Sequence, residues 1–379
     1  MNKALTSNPF IVGRYVPEEF FCDRNDETAF LIKQIENGRN VAMISPRRMG
    51  KTGLIHHCFA QETLQQTHRT FFFDIYATTS MSEFVYMFGK TIFNALKPRG
   101  QQLVERFFNI IGSLRMGFGI DAISGEPKFE MNIGEIGAPE TTLDEIFNYL
   151  EQSEKPCVVA IDEFQQVSNY GVTNIEAMLR ERIQQCQQTK FIFTGSKRHL
   201  MTNIFLSPTK PFYQSVLTMN LEPIPLSTYT DFAVQMFEHY GKTIERNVVE
   251  KVYNSFDGCT WFLQMIMNEL FALTSQNGQC SADYLTTAKN NVINSQEAAY
   301  KEIFSRLPSK QKLVIIAIAK EHQAHNITSS TFVRKYGLPS ASSVQAAVRP
   351  LLSNDIVKFD DGTYRIYDYF FADWISRNY

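Results

Sequence analysis

Two short segments of this chain carry residues whose types and spacing suit phosphate chemistry. The first is Ser45-Pro46-Arg47-Arg48-Met49-Gly50-Lys51-Thr52, which directly follows the apolar run Val41-Ala42-Met43-Ile44. The usual phosphate-binding pattern is Gly, four open positions, then Gly-Lys-Thr or Gly-Lys-Ser. Here Ser45 stands where the first Gly would be. Backbone N–H groups of such a loop surround an anion, and the following helix turns its positive end toward the same phosphates. Gly50 is expected to let the backbone close on a phosphate where a Cβ would interfere. Lys51 then suits the terminal phosphates, and the Thr52 hydroxyl suits a Mg²⁺ ion. Pro46, Met49 and Gly53 complete the loop and the first helical turn. Arg47 and Arg48 are expected on phosphates, against a neighbouring subunit, or on surface acids. A chance Gly-Lys-Thr in a basic turn is the bland alternative. The strand-like run before it and the helical pattern from Gly53 to about Gln66 argue against that alternative.

The second segment is Pro156-Cys157-Val158-Val159-Ala160-Ile161-Asp162-Glu163, an apolar run ending in two acids. On a strand beside the loop, Asp162 would hold Mg²⁺ and Glu163 would orient and deprotonate an attacking water. Alone, such a strand end is common; about a hundred residues after a phosphate loop it gains specificity. A third run, Lys190-Phe191-Ile192-Phe193-Thr194-Gly195-Ser196, ends in hydroxyls. Strand ends on one edge of a parallel sheet meet at the ligand crevice, so Thr194 or Ser196 is expected to sense the terminal phosphate or the water. Ordinary turn chemistry is the competing reading, since Thr-Gly-Ser opens loops well.

These segments need a framework. The 379 residues exceed one ordinary domain. At 44% hydrophobic and 20% charged residues, a packed globular protein is expected. The net charge of −2 gives no global case for nucleic acid or membrane. Six scattered Cys, with no Cys-x-x-Cys pair, fit free buried thiols in a reducing compartment. No zinc spacing appears, and His56-His57 and His322/His325 lack completing ligands. No signal peptide is evident, and the longest aliphatic run, Leu313 to Ala319, is too short to span a bilayer. A cytoplasmic location is therefore expected.

Along the chain, Arg69 to Tyr76 reads as a second strand, near-continuously apolar as in a sheet covered on both faces. Met81 to Leu96 and Thr141 to Gln152 read as helices, the latter with Asp144 and Glu145 in its first turn. The Gly-rich stretch from Gly112 to Gly137 reads as an inserted hairpin. Val216 to Leu221 reads as a fifth strand. Residues 226 to 304 read as helical throughout, with breaks at Gly241, Asp257-Gly258 and Asn277-Gly278. The remainder shows three helices (Gln311 to Lys320, Ser329 to Tyr336, Ala341 to Leu352) and a hairpin around Asp360-Asp361-Gly362, a winged-helix pattern. The expected architecture is α/β: a P-loop NTPase parallel sheet over 1–225, a helical lid over 226–304 and a winged-helix domain over 305–379.

Together these segments resemble the prokaryotic, archaeal-type ATPase family within the STAND branch of AAA+-like P-loop NTPases. The resemblance rests on the Pro-Arg-Arg-x-Gly-Lys-Thr loop, an upstream Asp23-Arg24-x-x-Glu27, the Ile161-Asp162-Glu163 strand end, Thr194-Gly195-Ser196, and Asp368 with Trp374 near the end. It implies an ATPase core using ATP and Mg²⁺, a lid and a winged helix that move with nucleotide state, and Arg24 near the adenine. Three positions depart from the pattern. Ser45 replaces Gly, Thr260 stands where relatives carry Pro in a Gly-x-Pro, and Gln214 stands where relatives often place Arg. If that Arg is a charge-neutralising finger, its loss implies slow turnover; Arg180 and Arg182 are expected as helix-surface charge, with a reach to an adjacent protomer as the alternative.

Three functions compete. The first is an ATP-hydrolysing switch, with catalytic Lys51, Glu163 and Thr194. The second is an ATP-regulated DNA-binding factor. Residues 301–379 hold eleven Lys and Arg against seven Asp and Glu, only mildly basic, with Gln345 and Arg349 as candidates for base edges and Ser340, Ser342 and Ser343 as candidates for phosphates. The third is a non-hydrolysing scaffold in which ATP stabilises a homo-oligomer or a complex with a protein partner. No membrane partner is expected.

Overall fold

The computed structural model describes residues 8–13, 16–96, 106–107, 109–113, 118–120, 127–129 and 136–379. The chain divides into two compact units. One is Tyr15–Ile224, the sheet unit; the other joins Met1–Arg14 to Pro225–Tyr379, the C-terminal unit.

The sheet unit is built on five parallel strands: β1 (Val41–Ile44), β2 (Arg69–Asp74), β5 (Cys157–Asp162), β6 (Thr189–Gly195) and β7 (Leu217–Asn220). A separate antiparallel pair lies between them in sequence, β3 (Phe118–Ile120) and β4 (Pro127–Phe129). Residues 114–117, 121–126 and 130–135 of the expected hairpin stretch lie outside the described residues. The sheet order is β2-β5-β6-β1-β7. β6 lies between the acid-tipped β5 and the loop strand β1. Apolar runs show that a strand is buried on both faces but not which strand neighbours it.

Period-two alternation sorts the buried residues to the two faces. Ala42 and Ile44, Cys157, Val159 and Ile161, and Phe191 and Phe193 all join one cluster with Phe84, Phe88 and Phe147 from flanking helices. Those helices are Met81–Leu96 and Pro139–Glu151. The second begins at Pro139, so Glu140 is its first-turn acid rather than Asp144 and Glu145. Helices α1 (Asn25–Glu36) and α2 (Lys51–Ala60) flank β1 in sequence.

The C-terminal unit contains helices Leu226–His239, Arg246–Ser255, Thr260–Leu273, Tyr284–Ser295 and Glu297–Arg306. It is not helical throughout: the breaks at Gly241 and Gly278 also admit Thr243–Ile244 and Gln279–Cys280, which pair in parallel. Helices Ser309–Glu321, Ser330–Lys335 and Ala341–Ser353 follow. Strands Val357–Asp360 and Thr363–Ile366 form the wing, and Ala324–His325 adds a third antiparallel strand. An N-terminal strap belongs to this unit. Asn8 Nδ2 donates to the Asn268 carbonyl at 2.8 Å, and Asn268 Nδ2 donates to the Phe10 carbonyl at 2.7 Å. Phe10 is fully buried among Phe232, Phe237 and Phe271.

Candidate functional site

The phosphate loop alternates anchors and exposed positions. Ser45, Met49 and Lys51 are buried, while Pro46, Gly50 and Thr52 are exposed. Arg48 and Gly50 both take left-handed backbone angles, φ 66° and 91°. A Cβ built on Gly50 meets nothing within 4 Å, so backbone conformation rather than crowding is what calls for glycine there. Lys51 Nζ donates to the carbonyls of Ser45 at 2.9 Å and Pro46 at 2.6 Å, which folds its ammonium over the loop. Gly50 caps α2, so the positive end of that helix opens onto the loop.

The ends of β5 and β6 meet the loop from the other side. The Thr52 hydroxyl donates to Asp162 Oδ2 at 2.7 Å. The Thr194 hydroxyl donates to Asp162 Oδ1, and the N–H of Glu163 reaches the same oxygen at 2.9 Å. Asp162 is 6% exposed and Thr194 fully buried. Thus Thr194 sits on the acid rather than facing the crevice; the β6 hydroxyl that reaches Glu163 belongs to Ser196. Ser196 Oγ donates to Glu163 Oε2 at 2.7 Å and accepts from Arg47 Nε at 2.9 Å. Gln165 Nε2 donates to the same Glu163 oxygen. Glu163 holds a left-handed conformation, φ 59°, a strain of the kind found at functional positions.

Two further residues escaped sequence reasoning. Asp74 ends β2 in register with Asp162. Burial pushes its carboxyl up; the Tyr76 N–H opposes this, and the charges of Asp162 and Glu163 add to it. Its position as an acid closing an apolar strand was the signal available. Gln165 had none, since a Gln after Asp-Glu-Phe is unremarkable in sequence.

Arg24 lies at the start of α1 with φ 73°, next to Asp23 with φ 58°. Its guanidinium pairs with Glu27 at 2.5 Å, and the residue is 4% exposed. Beside it is a cavity of about 330 Å³ whose lining includes Phe21, Asp23, Asn25, Thr28 and His57. The Phe21 ring stacks on His57, centroids 4.1 Å apart, and lies against Gly53. Gly53 thus faces Phe21. Arg180 and Arg182 are engaged within the sheet unit, by Ser215 and by Asp144. Gln214 follows a turn anchored by buried Phe212, which packs on Phe164 and Phe193 beside the site.

Among the described residues no helix is long and apolar enough to cross a membrane, and no cluster of His, Cys, Asp and Glu is arranged to hold a metal unaided. A Mg²⁺ ion held by Thr52 and Asp162 would therefore draw its other ligands from phosphate and water, as Mg²⁺ commonly does.

A family model described as "Probable winged helix domain" matches residues 298–377. No curated protein is similar enough to count as a relative. Among solved structures, the Walker-type ATPase PABY2304 of Pyrococcus abyssi is 17% identical, with 97% of this chain and 99% of that chain covered and a TM-score of 0.66. The Aeropyrum pernix ORC2 protein, in ADPNP–ADP complexes, is 14% identical over 98% and 96% of the two chains, with a TM-score of 0.59. The Aeropyrum pernix ORC1 protein in complex with DNA is 12% identical over 94% and 93%, with a TM-score of 0.50. At these identities the likeness is one of fold. The chain is an α/β protein with the fold of the archaeal Walker-type ATPases, completed by a C-terminal winged helix.

Proposed function

We propose that this protein binds ATP with Mg²⁺ and hydrolyses it, and that the nucleotide state biases the C-terminal unit. The observation that carries the reading is the bond from Thr52 on α2 to Asp162 on β5, at 2.7 Å. It joins the phosphate loop to the acid-tipped strand across an intervening strand, where a metal between the two is expected. The backbone of residues 45–50 and the start of α2 would cradle the phosphates, and Lys51 would leave the loop carbonyls for the terminal ones. Thr52 and Asp162 would hold Mg²⁺, which would supply neutralisation of phosphate charge. Thr194 keeps the Asp162 carboxylate oriented. Glu163 takes the proton of the attacking water. Arg24 and the cavity beside it are assigned to the base.

Steady-state ATP hydrolysis, with Lys51→Ala alongside, tests this. Turnover that disappears in the variant supports the reading; turnover that persists unchanged refutes it.

A second reading, ATP-regulated DNA binding, is favoured by one observation. Ser342, Gln345 and Arg349 share the exposed face of the helix Ala341–Ser353. The wing offers less. Arg365 is held by Asp257 at 2.6 Å, Lys358 lies 5.4 Å from the centroid of the Tyr369 ring, and Asp360 and Asp361 are exposed. DNA affinity that does not weaken with added salt excludes phosphate contacts.

A further inference from the structure

The N-terminal strap, residues 8–13, is seated in the C-terminal unit as a ligand would be. Residues 15–224, the whole sheet unit, separate it in sequence from the helices that hold it. The unit boundary falls directly after it, between Arg14 and Tyr15. The strap carries its own geometry. Pro9 fixes one backbone angle, and Asn8 Oδ1 accepts from the Phe10 N–H at 3.1 Å, an Asx turn that presents the phenylalanine.

The groove answers each of these groups. Phe10 is fully buried, its ring centroid 6.2, 5.7 and 6.0 Å from those of Phe232, Phe237 and Phe271. Asn8 Nδ2 donates to the Asn268 carbonyl, and Asn268 Nδ2 returns a bond to the Phe10 carbonyl. One asparagine thus reads both ends of an Asn-Pro-Phe turn. Beyond Phe10 the fit loosens. A cavity of about 320 Å³ lies along the strap, lined by Asn8, Ile11, Val12, Met265, Asn268 and Glu269. Gly13 ends the strap with a left-handed φ of 72°, which glycine adopts freely. Anchorage is therefore concentrated in Asn8 and Phe10. These contacts all lie between the strap and the C-terminal unit, so the strap of a second copy would reproduce each of them. Exchange replaces one set of contacts by an identical set, and its cost is the joining of two molecules.

We propose that the groove formed by helices Leu226–His239 and Thr260–Leu273 is a recognition site for an Asn-Pro-Phe turn, and that its occupant in trans is the strap of a second copy of this chain. Two copies then link through one exchanged strap or, reciprocally, through two. The local strap competes with the incoming one at an effective concentration set by its tether.

The first measurement is titration of a fluorescent peptide of residues 5–14 into the full chain carrying Phe10→Ala. Saturable binding is expected, at least about tenfold tighter than to wild type, whose own strap fills the groove. The same peptide carrying Phe10→Ala is expected not to bind. No binding to the folded variant, or equal binding to variant and wild type, overturns the site. The second measurement identifies the occupant. Phe10→Ala has an open groove and a disabled strap; Asn268→Ala has an intact strap and a groove that has lost one bond to it. Sedimentation of the two variants together, carrying different dyes, is expected to show a 1:1 complex. Two differently labelled samples of Phe10→Ala are expected to show none. Mixed variants that associate no more than Phe10→Ala does with itself overturn the second copy as occupant, even where the peptide binds. If Phe10→Ala does not fold, Asn8→Ala, which keeps the phenylalanine, replaces it in both measurements and the same outcomes decide.

Discussion

Asp162 and Glu163 are adjacent, yet their surroundings give them different work. Asp162 gathers the Thr52 hydroxyl, the Thr194 hydroxyl and the N–H of Glu163. Such a carboxylate is fixed in place, which suits the metal-ligand role proposed for it. Glu163 is held only through side chains that can turn away. Glu163→Gln should therefore separate binding from chemistry. The amide keeps an oxygen for Ser196 but cannot take a proton. Turnover is expected to fall about 10²–10³-fold with ATP affinity within about threefold. Calorimetric titration beside the hydrolysis assay checks this, and an equal loss in both would place Glu163 in binding instead. At this scale Thr52 and Asp162, both named from sequence, are brought together in the structure. The site was not legible in the sequence at Gln165 and Asp74, and Ser196 was named only as an alternative to Thr194. Their roles arise from the register of strands far apart in sequence, and Ser, Gln and Asp are ordinary residues in turns.

The elements carry their own test at the turn entering β6. The Glu151 carboxylate, at the end of the helix Pro139–Glu151, accepts from the N–H groups of Gln187, Gln188 and Thr189 at 2.7, 3.1 and 2.9 Å. Burial opposes the charge, but the Thr189 hydroxyl and these N–H groups outweigh it and hold the carboxyl below its ordinary 4.5. A carboxyl lowered on folding stabilises above its unfolded pKa and stops doing so as pH falls through the folded one. Glu151→Gln is thus expected to lower Tm at pH 7, with the gap from wild type closing as pH falls below about 4.5. A gap that is constant with pH would mean that Glu151 acts by shape alone. Strands and long helices were readable because burial on two faces, or on one stripe, writes itself into the residue pattern. The two-residue strands Thr243–Ile244, Gln279–Cys280 and Ala324–His325 are too short to carry a period. The placing of β6 between β1 and β5 is a tertiary fact with no local signature.

For the whole molecule, the division into units followed composition at one end and not at the other. The Glu222-Pro223-Ile224-Pro225 break lies at the observed boundary. The assignment of the first residues to the far unit did not show in sequence, because a single buried Phe has no pattern. Phe10→Ala should cost that unit about 3–5 kcal/mol, the usual range for a buried Phe. A scanning-calorimetry trace is expected to show the C-terminal unit melting earlier and the sheet unit unmoved. A joint shift of both would show that the units unfold together. The strap has a last consequence, for the order in which the protein is made. Asn8 leaves the ribosome before its partner Asn268, which lies 260 residues later. At roughly 5–20 residues per second, that is a wait of about 13–50 seconds. All five strands of the parallel sheet are available by Asn220, before the last helix that receives Phe10, Thr260–Leu273, exists. The nascent sheet unit can therefore close while the strap still carries an uncovered phenylalanine, and the C-terminal unit is completed only when the strap meets a helix made much later.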